Sequence, residues 1–239
     1  MNKYKDAIGI LGGMGSYATL DFFNRVLNFF PCEKEWERPR VLIDNNCVMP
    51  SRVRAILYNE NVEELKSALY ESVKGMLSTK LSDGGKLYIV IGCNTAHNYL
   101  GYLKERLPQA NFVDIIDACA DDLEKRGVKE VSVLATEGTV ATKIYNDYFD
   151  KRGIRIFYRD SEDEQKQVRY LIECVKQNKM TDDAKKQFAC LINSCVTDNV
   201  ILGCTELPVL WNTMDKGVVN KTVFDPLECA LFKLKDMLK

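Results

Sequence analysis

The sequence predicts an α/β protein of two similar lobes with mainly parallel sheets, related by a pseudo-two-fold, with a ligand cleft between them. Three observations predict it. Short apolar runs alternate with longer amphipathic stretches along the whole chain, and two motifs recur in the second half in the same order. The 239 residues also exceed one average domain, yet no Ser/Gly-rich linker divides them.

The runs Ala7–Leu11, Arg40–Ile43, Leu87–Ile91, Val131–Leu134, Arg155–Tyr158 and Val200–Leu202 are short and bounded by Gly, Asp or Asn, which predicts buried strands. Between them, Thr19–Phe29, Val62–Leu77, Ala96–Arg106, Asp114–Lys125, Ala141–Lys151, Glu164–Gln177 and Asp182–Val196 carry helical periodicity. A final helix spans Asp225–Leu238, with Asp225 as its N-cap and Pro226 at its first position, where a missing N–H costs nothing. Strands separated by helices pair in parallel, because the crossover returns each strand to the same end of the sheet.

The internal repeat supplies the two-lobe reading. Leu11-Gly-Gly-Met-Gly15-Ser-Tyr-Ala18-Thr19 aligns with Leu134-Ala-Thr-Glu-Gly138-Thr-Val-Ala141-Thr142 at one constant offset, and each copy ends a strand and opens a helix. Ile89-Val-Ile-Gly92-Cys93 aligns with Val200-Ile-Leu-Gly203-Cys204, an apolar strand ending in Gly-Cys. The expected division gives residues 1–115 and 212–239 to a first lobe carrying Cys93, and residues 116–211 to a second carrying Cys204. Ligands of such folds sit at the carboxyl ends of parallel strands. Two facing lobes would therefore aim both thiols into one cleft from opposite sides.

Composition removes several function classes. Lys and Arg number 33 against 34 Asp and Glu, a net charge of −1, which argues against a general nucleic-acid binder. No run of 18 apolar residues is present, so no membrane-spanning helix is expected. Lys3 and Lys5 before the uncharged stretch from Ala7 to Leu20 imitate a signal peptide, but Asp6 abuts that stretch and glycines interrupt it. The expectation is a cytoplasmic protein. Nine cysteines accompany one histidine, with no Cys-x-x-Cys pair, so no metal site is predicted and the thiols are read as reduced. Most of them, Cys190 and Cys195 included, read as small core residues.

Two thiols at equivalent strand ends suit one chemistry. A cysteine before a helix start lies near unpaired N–H groups that favour the thiolate. One thiolate can take a proton from carbon while the opposing thiol donates to the other face, which inverts a stereocentre. Cys–His nucleophilic catalysis competes, since His97 follows Cys93 by one helical turn, but it leaves the second Gly-Cys copy unused. Gly13-x-Gly15-x-x-Ala18, with Asp44 ending the next strand, also fits a dinucleotide fingerprint and an NAD-dependent dehydrogenase. The second copy around Glu137–Gly138 lacks that pattern, and a helix N-terminus holds a carboxylate as readily as a phosphate. A small-acid binding protein with incidental cysteines is a further alternative.

Ile10-Leu-Gly-Gly-Met-Gly15 with Ala18-Thr19, then Cys93-Asn-Thr-Ala-His97, then Gly203-Cys-Thr-Glu206, resemble the aspartate/glutamate racemase family over nearly the whole chain. Ending the second motif in Glu206 resembles its aspartate racemase branch. The resemblance implies two Rossmann-like halves and a racemase of aspartate, glutamate or both that uses no cofactor, pyridoxal phosphate included. It assigns Cys93 and Cys204 as the acid/base pair. Asn94, Thr95 and Thr205 would hold the substrate carboxylate, with Met14 in the lining glycine loop. Arg52, in Pro50-Ser51-Arg52, would grip the distal carboxylate through its planar fork, with Lys176 as a second cation. His97 is given a supporting or purely structural role, and Glu206 either tunes Cys204 or favours a helix N-terminus. The expected partner is a small acidic amino acid, and a homodimer is expected by family habit. Hydantoin racemase and maleate isomerase types share the same cleft and are the nearest alternatives.

Overall fold

The computed structural model describes residues 3–81 and 84–238. Its strands are β1 (Ala7–Gly12), β2 (Arg40–Asn45), β3 (Leu87–Ile91), β4 (Asn111–Val113), β5 (Glu130–Leu134), β6 (Arg155–Tyr158), β7 (Asn199–Leu202) and β8 (Thr222–Phe224). They form two four-stranded sheets, ordered β2-β1-β3-β4 and β6-β5-β7-β8, and every pairing is parallel. The two orders are the same once each lobe is counted from its own first strand. In both, the chain reverses its direction of travel at the first strand, so β1/β3 and β5/β7 are switch points whose carboxyl ends leave a crevice.

Burial explains why these strands are legible as apolar runs. All of β1 and β3 is buried, whereas the edge strand β2 is mostly exposed or half-buried. A strand covered by helices on both faces needs apolar side chains at every position, and an edge strand does not. Alternate residues serve different cores. Ile8, Ile10 and Val90 join Val131, Val133 and Ile201 in a central core shared by both sheets, while Leu11, Ile89 and Ile91 face an outer core. Leu134, Val200 and Leu202 face the matching outer core of the second lobe. The helices Ile115–Lys125 and Pro226–Met237 pack on one another within the central core, and each joins one lobe to the other.

Four features depart from the sequence reading. Strands β4 and β8 are three residues each, too short for a periodicity to register. The segment 212–239, expected with the first lobe, contains β8, which pairs with β7 at the edge of the second sheet before Pro226–Met237 returns to the helix Ile115–Lys125. The stretch Ala141–Lys151 is not one helix. A helix Glu137–Thr142 stops at Lys143, whose φ of 49° is left-handed, and a short helix Asn146–Phe149 follows. Two short helices, Arg52–Tyr58 and Glu206–Trp211, also lie outside the predicted set. No helix among the described residues is long and apolar enough to cross a membrane.

Candidate active site

The repeat is reproduced in hydrogen bonds. The Thr19 hydroxyl donates to the Gly15 carbonyl at 3.0 Å, and Thr142 donates to Gly138 at the same distance. The Gly92 N–H donates to the Leu11 carbonyl at 2.8 Å, and Gly203 donates to Leu134 at 2.7 Å. These bonds carry each strand pair one step past its last ladder residue and set the following cysteine at the crevice. Cys93 lies two residues past the end of β3, Cys204 two residues past the end of β7, and both are buried.

Each lobe presses its glycine loop onto the other lobe's cysteine loop. A Cβ at Gly15 would lie 2.1 Å from Glu206 Oε1, and a Cβ at Gly138 would lie 3.2 Å from the Thr95 methyl and 3.3 Å from the Val53 Cα. Glu206 and Thr95 each stand two residues after their cysteine, so the two contacts are symmetry mates. Gly13 is needed for a different reason: its φ is 80°, and a side chain there would collide with the Asn46 backbone. The second interface also carries a hydroxyl cluster, in which Thr95 Oγ1 lies 2.9 Å from Thr136 Oγ1 and 3.0 Å from Thr139 Oγ1.

Around the second thiol the groups are acidic. The Cys204 thiol donates to Glu206 Oε2 at 3.0 Å, and Thr205 donates to the Gly92 carbonyl at 3.2 Å, tying this loop to the first lobe. Burial pushes the Cys204 pKa well above its ordinary value; the Glu206 charge, the hydrogen bond to it and the neighbouring Cys93 push the same way. Glu206 is buried, and its Oε1 has no hydrogen-bond partner among the described residues. For the Lys176 ammonium, burial lowers the pKa, but Glu206, Glu173 and Cys204 outweigh it and hold the pKa above the ordinary lysine value. Lys176 pairs with Glu173 at 3.1 Å and lines a cavity of about 190 Å³ with Glu173 and Ile172, Thr136 and Glu137 across from Ser51 and Val53.

The first thiol has a different neighbourhood. Asn94 is buried; its Oδ1 accepts the Tyr145 hydroxyl at 2.7 Å, and its Nδ2 has no partner among the described residues. His97 Nδ1 lies 2.8 Å from the Cys93 carbonyl, which can only accept, so that nitrogen carries the hydrogen. Burial lowers the His97 pKa against the opposing pull of Asp114 and the Cys93 carbonyl, and the ring is neutral. Arg52 is engaged with backbone: Nη1 donates to the Pro50 carbonyl and Nη2 to the Met14 carbonyl, both at 3.0 Å, while Nε is buried with no partner among the described residues. Met14 is thus held by Arg52, and its side chain joins the outer core of the first lobe.

Of the residues picked from the sequence, Cys93, Asn94 and Thr95 share one strand-end loop, Cys204, Thr205 and Glu206 its counterpart, and Lys176 approaches from the second lobe. Sequence reasoning missed Thr136, Thr139 and Tyr145. The two threonines sit within the second copy of the glycine loop, so the repeat held a signal for them. Tyr145 follows the left-handed break at Lys143, a position without the glycine or asparagine that marks such a turn in a sequence.

Residues 11–233 match the model of the Asp/Glu/hydantoin racemase family. The broad specificity amino-acid racemase RacX of Bacillus subtilis (strain 168) is 27% identical over 210 residues, covering 84% of this chain and 85% of RacX. A glutamate racemase of Aquifex aeolicus (strain VF5) is 27% identical over 161 residues, with 66% of this chain and 61% of that protein covered. Among solved structures, the aspartate racemase of Picrophilus torridus superposes with a TM-score of 0.81 at 28% identity, covering 98% of this chain and 95% of that one. An aspartate racemase homologue from Pyrococcus horikoshii OT3 gives 0.72 at 25% identity, with 97% and 98% covered. Two matched lobes, a shared crevice and a family match across almost the whole length agree, and the chain belongs to the Asp/Glu/hydantoin racemase family.

Proposed function

We propose that this protein interconverts L- and D-aspartate, glutamate or both by two-base proton transfer between Cys93 and Cys204. The observation that carries the reading is the equivalence of the two thiols, each two residues past the carboxyl end of the strand in the third position of a sheet with the same strand order. The 3.2 Å hydrogen bond from Thr205 to the Gly92 carbonyl, which joins the residue after Cys204 to the residue before Cys93, supports the reading. One thiolate removes the Cα proton, the opposing S–H delivers its proton to the other face, and the negative charge returns to the donating sulfur. Each thiol finishes in the state in which the other began, so the enzyme is ready for the reverse reaction.

Donors of Asn94, Thr95 and Thr205, from side chain or backbone, hold the substrate carboxylate between the two thiols. Lys176 faces the distal carboxylate from the second lobe. Arg52 fastens the Met14 loop and offers its remaining Nε to the same cleft. His97 orients the Cys93 backbone, and Glu206 adjusts Cys204.

The test is incubation with each enantiomer of aspartate and glutamate in D2O, following the α-proton by NMR and optical rotation. Exchange with loss of rotation supports the reading; a ligand that binds without exchange points to a binding protein. Cys93→Ser and Cys204→Ser should each abolish racemisation, and full activity in either would remove the two-base assignment. A racemase of wider range, in the sense of RacX, is a second reading. It is favoured by the engagement of two Arg52 nitrogens with backbone carbonyls, and neutral amino acids in the same assay decide it.

A further inference from the structure

Asn94 is an amide that can face the cleft in either of two orientations, and only one presents a donor to a carboxylate. A carbonyl oxygen turned into the cleft would repel the substrate, whereas the NH2 group would bind it. In the structure the choice is made by the other lobe. Tyr145 donates its hydroxyl to Asn94 Oδ1 at 2.7 Å, which leaves Nδ2 buried with no partner among the described residues.

Tyr145 is itself held from several sides. Lys143, at φ 49°, ends the preceding helix and turns the chain inward, and Tyr145 is fully buried in the core shared by the two sheets. Its ring lies 5.6 Å from that of Phe149. The next residue, Asn146, accepts the Tyr158 hydroxyl at Oδ1 at 3.0 Å. One turn on, Tyr148 donates to Asp114 Oδ2 at 2.7 Å, so the segment is anchored to the first lobe at two points. Burial raises the Tyr145 pKa well above the ordinary tyrosine value, which keeps the hydroxyl a donor throughout the working pH range.

We infer that Tyr145 is a positioning residue: its hydroxyl fixes the Asn94 amide with Nδ2 turned to the cleft, so that the second lobe sets up the carboxylate donor of the first. The inference rests on the racemase reading above and extends it to a residue that touches no substrate. An Asn94 donor to a charged group, held by this bond, supports substrate binding more than the proton transfers themselves. Loss of the hydroxyl therefore acts on KM more than on kcat.

The experiment is a double-mutant cycle on amino-acid racemisation with Tyr145→Phe, Asn94→Ala and the pair. Tyr145→Phe keeps the buried ring and should raise KM about tenfold with kcat within about threefold of wild type, the size expected for one hydrogen bond acting on a charged ligand. In the Asn94→Ala background the same change should alter KM by less than about twofold, because the group through which Tyr145 acts is gone. An unchanged KM in Tyr145→Phe, or an effect of equal size in both backgrounds, would overturn the inference. A measurement on wild-type protein guards against a variant that fails to fold. The side-chain NH2 signal of Asn94, identified by its loss in Asn94→Ala, should shift in 15N NMR when L-aspartate or L-glutamate is added, and a static signal at saturation overturns the donor orientation. Absence of turnover by the wild-type enzyme on every acidic amino acid would remove the racemase reading itself, which is a separate outcome from normal turnover with an insensitive Tyr145.

Discussion

Cys204 and Glu206 form a thiol–carboxylate hydrogen bond of 3.0 Å, whereas the position two residues after Cys93 is Thr95, a hydroxyl paired with two threonines of the other lobe. The two halves of the cleft are alike in backbone and unlike in charge. Burial, the Glu206 charge and the hydrogen bond to it all raise the Cys204 pKa, so removing that charge should lower it. In Glu206→Gln, the basic thiolate of Cys204 becomes available at lower pH. The limb of the kcat/KM profile set by this group should move to the acid side for the enantiomer that Cys204 deprotonates. Profiles measured separately from the L- and D-enantiomers check this. A limb that stays in place in both directions would separate Glu206 from the chemistry of Cys204.

Gly15→Ala tests the same carboxylate through space. Gly15 has φ −171° and ψ 117°, an extended backbone open to any residue, so the obstacle is purely the 2.1 Å approach of a new Cβ to Glu206 Oε1. Overpacking of this kind costs about 1–3 kcal/mol, and displacing Glu206 should also reduce turnover by about tenfold or more. In a cycle with Glu206→Ala, the pair should be less destabilised than the sum of its single changes. Urea denaturation of the four proteins measures the coupling, and strict additivity would mean that the two side chains do not meet.

The lobes and their thiols were legible because a duplicated fold repeats its strand-end chemistry in the sequence. Gly92-Cys93 and Gly203-Cys204 differ in their surroundings but not in their place relative to β3 and β7. Three-residue strands such as β8 were illegible, since a register of three leaves no period to detect. The tail therefore reads in sequence as part of the first lobe, although β8 extends the second sheet. Arg52 stands out only through the resemblance of Pro50-Ser51-Arg52 to a family segment, and its engagement with the Met14 carbonyl depends on the path of the glycine loop, a tertiary matter. The same is true of Tyr145, whose helical periodicity hid the break at Lys143 and so hid the contact with Asn94.

Lys176 should read the substrate's distal carboxylate. Its ammonium is held in the charged form by Glu206, Glu173 and Cys204 against the effect of burial, and it borders the cavity across from Ser51 and Val53. Lys176→Met keeps the aliphatic stem and removes the charge. For aspartate and glutamate, KM should rise by about tenfold or more, as for loss of one charge-assisted bond. Turnover of any neutral amino acid the enzyme accepts should change little, and Lys176→Arg should recover part of the loss. Equal effects on acidic and neutral substrates would assign Lys176 to the fold of the helix end and not to specificity.

His97 governs how stability depends on pH. It is the one histidine in the sequence, and burial lowers its pKa from the ordinary value of 6.5. The unfolded chain therefore binds a proton that the folded protein resists. The sign follows: His97 imposes no penalty above about pH 6.5, and stability falls as pH drops from that value toward the lowered folded-state pKa. The slope should approach about 1.4 kcal/mol per pH unit, the limit for one proton. Denaturation midpoints of wild type should fall between pH 7.5 and 5.5, a window above most carboxylate titrations. His97→Gln keeps a donor for the Cys93 carbonyl and has nothing to titrate there, so it should show a flat profile over the same window even if it is less stable overall. A variant that retained the wild-type slope would place the pH sensitivity elsewhere, and a wild type without a slope would mean that the His97 ring accepts its proton inside the folded protein.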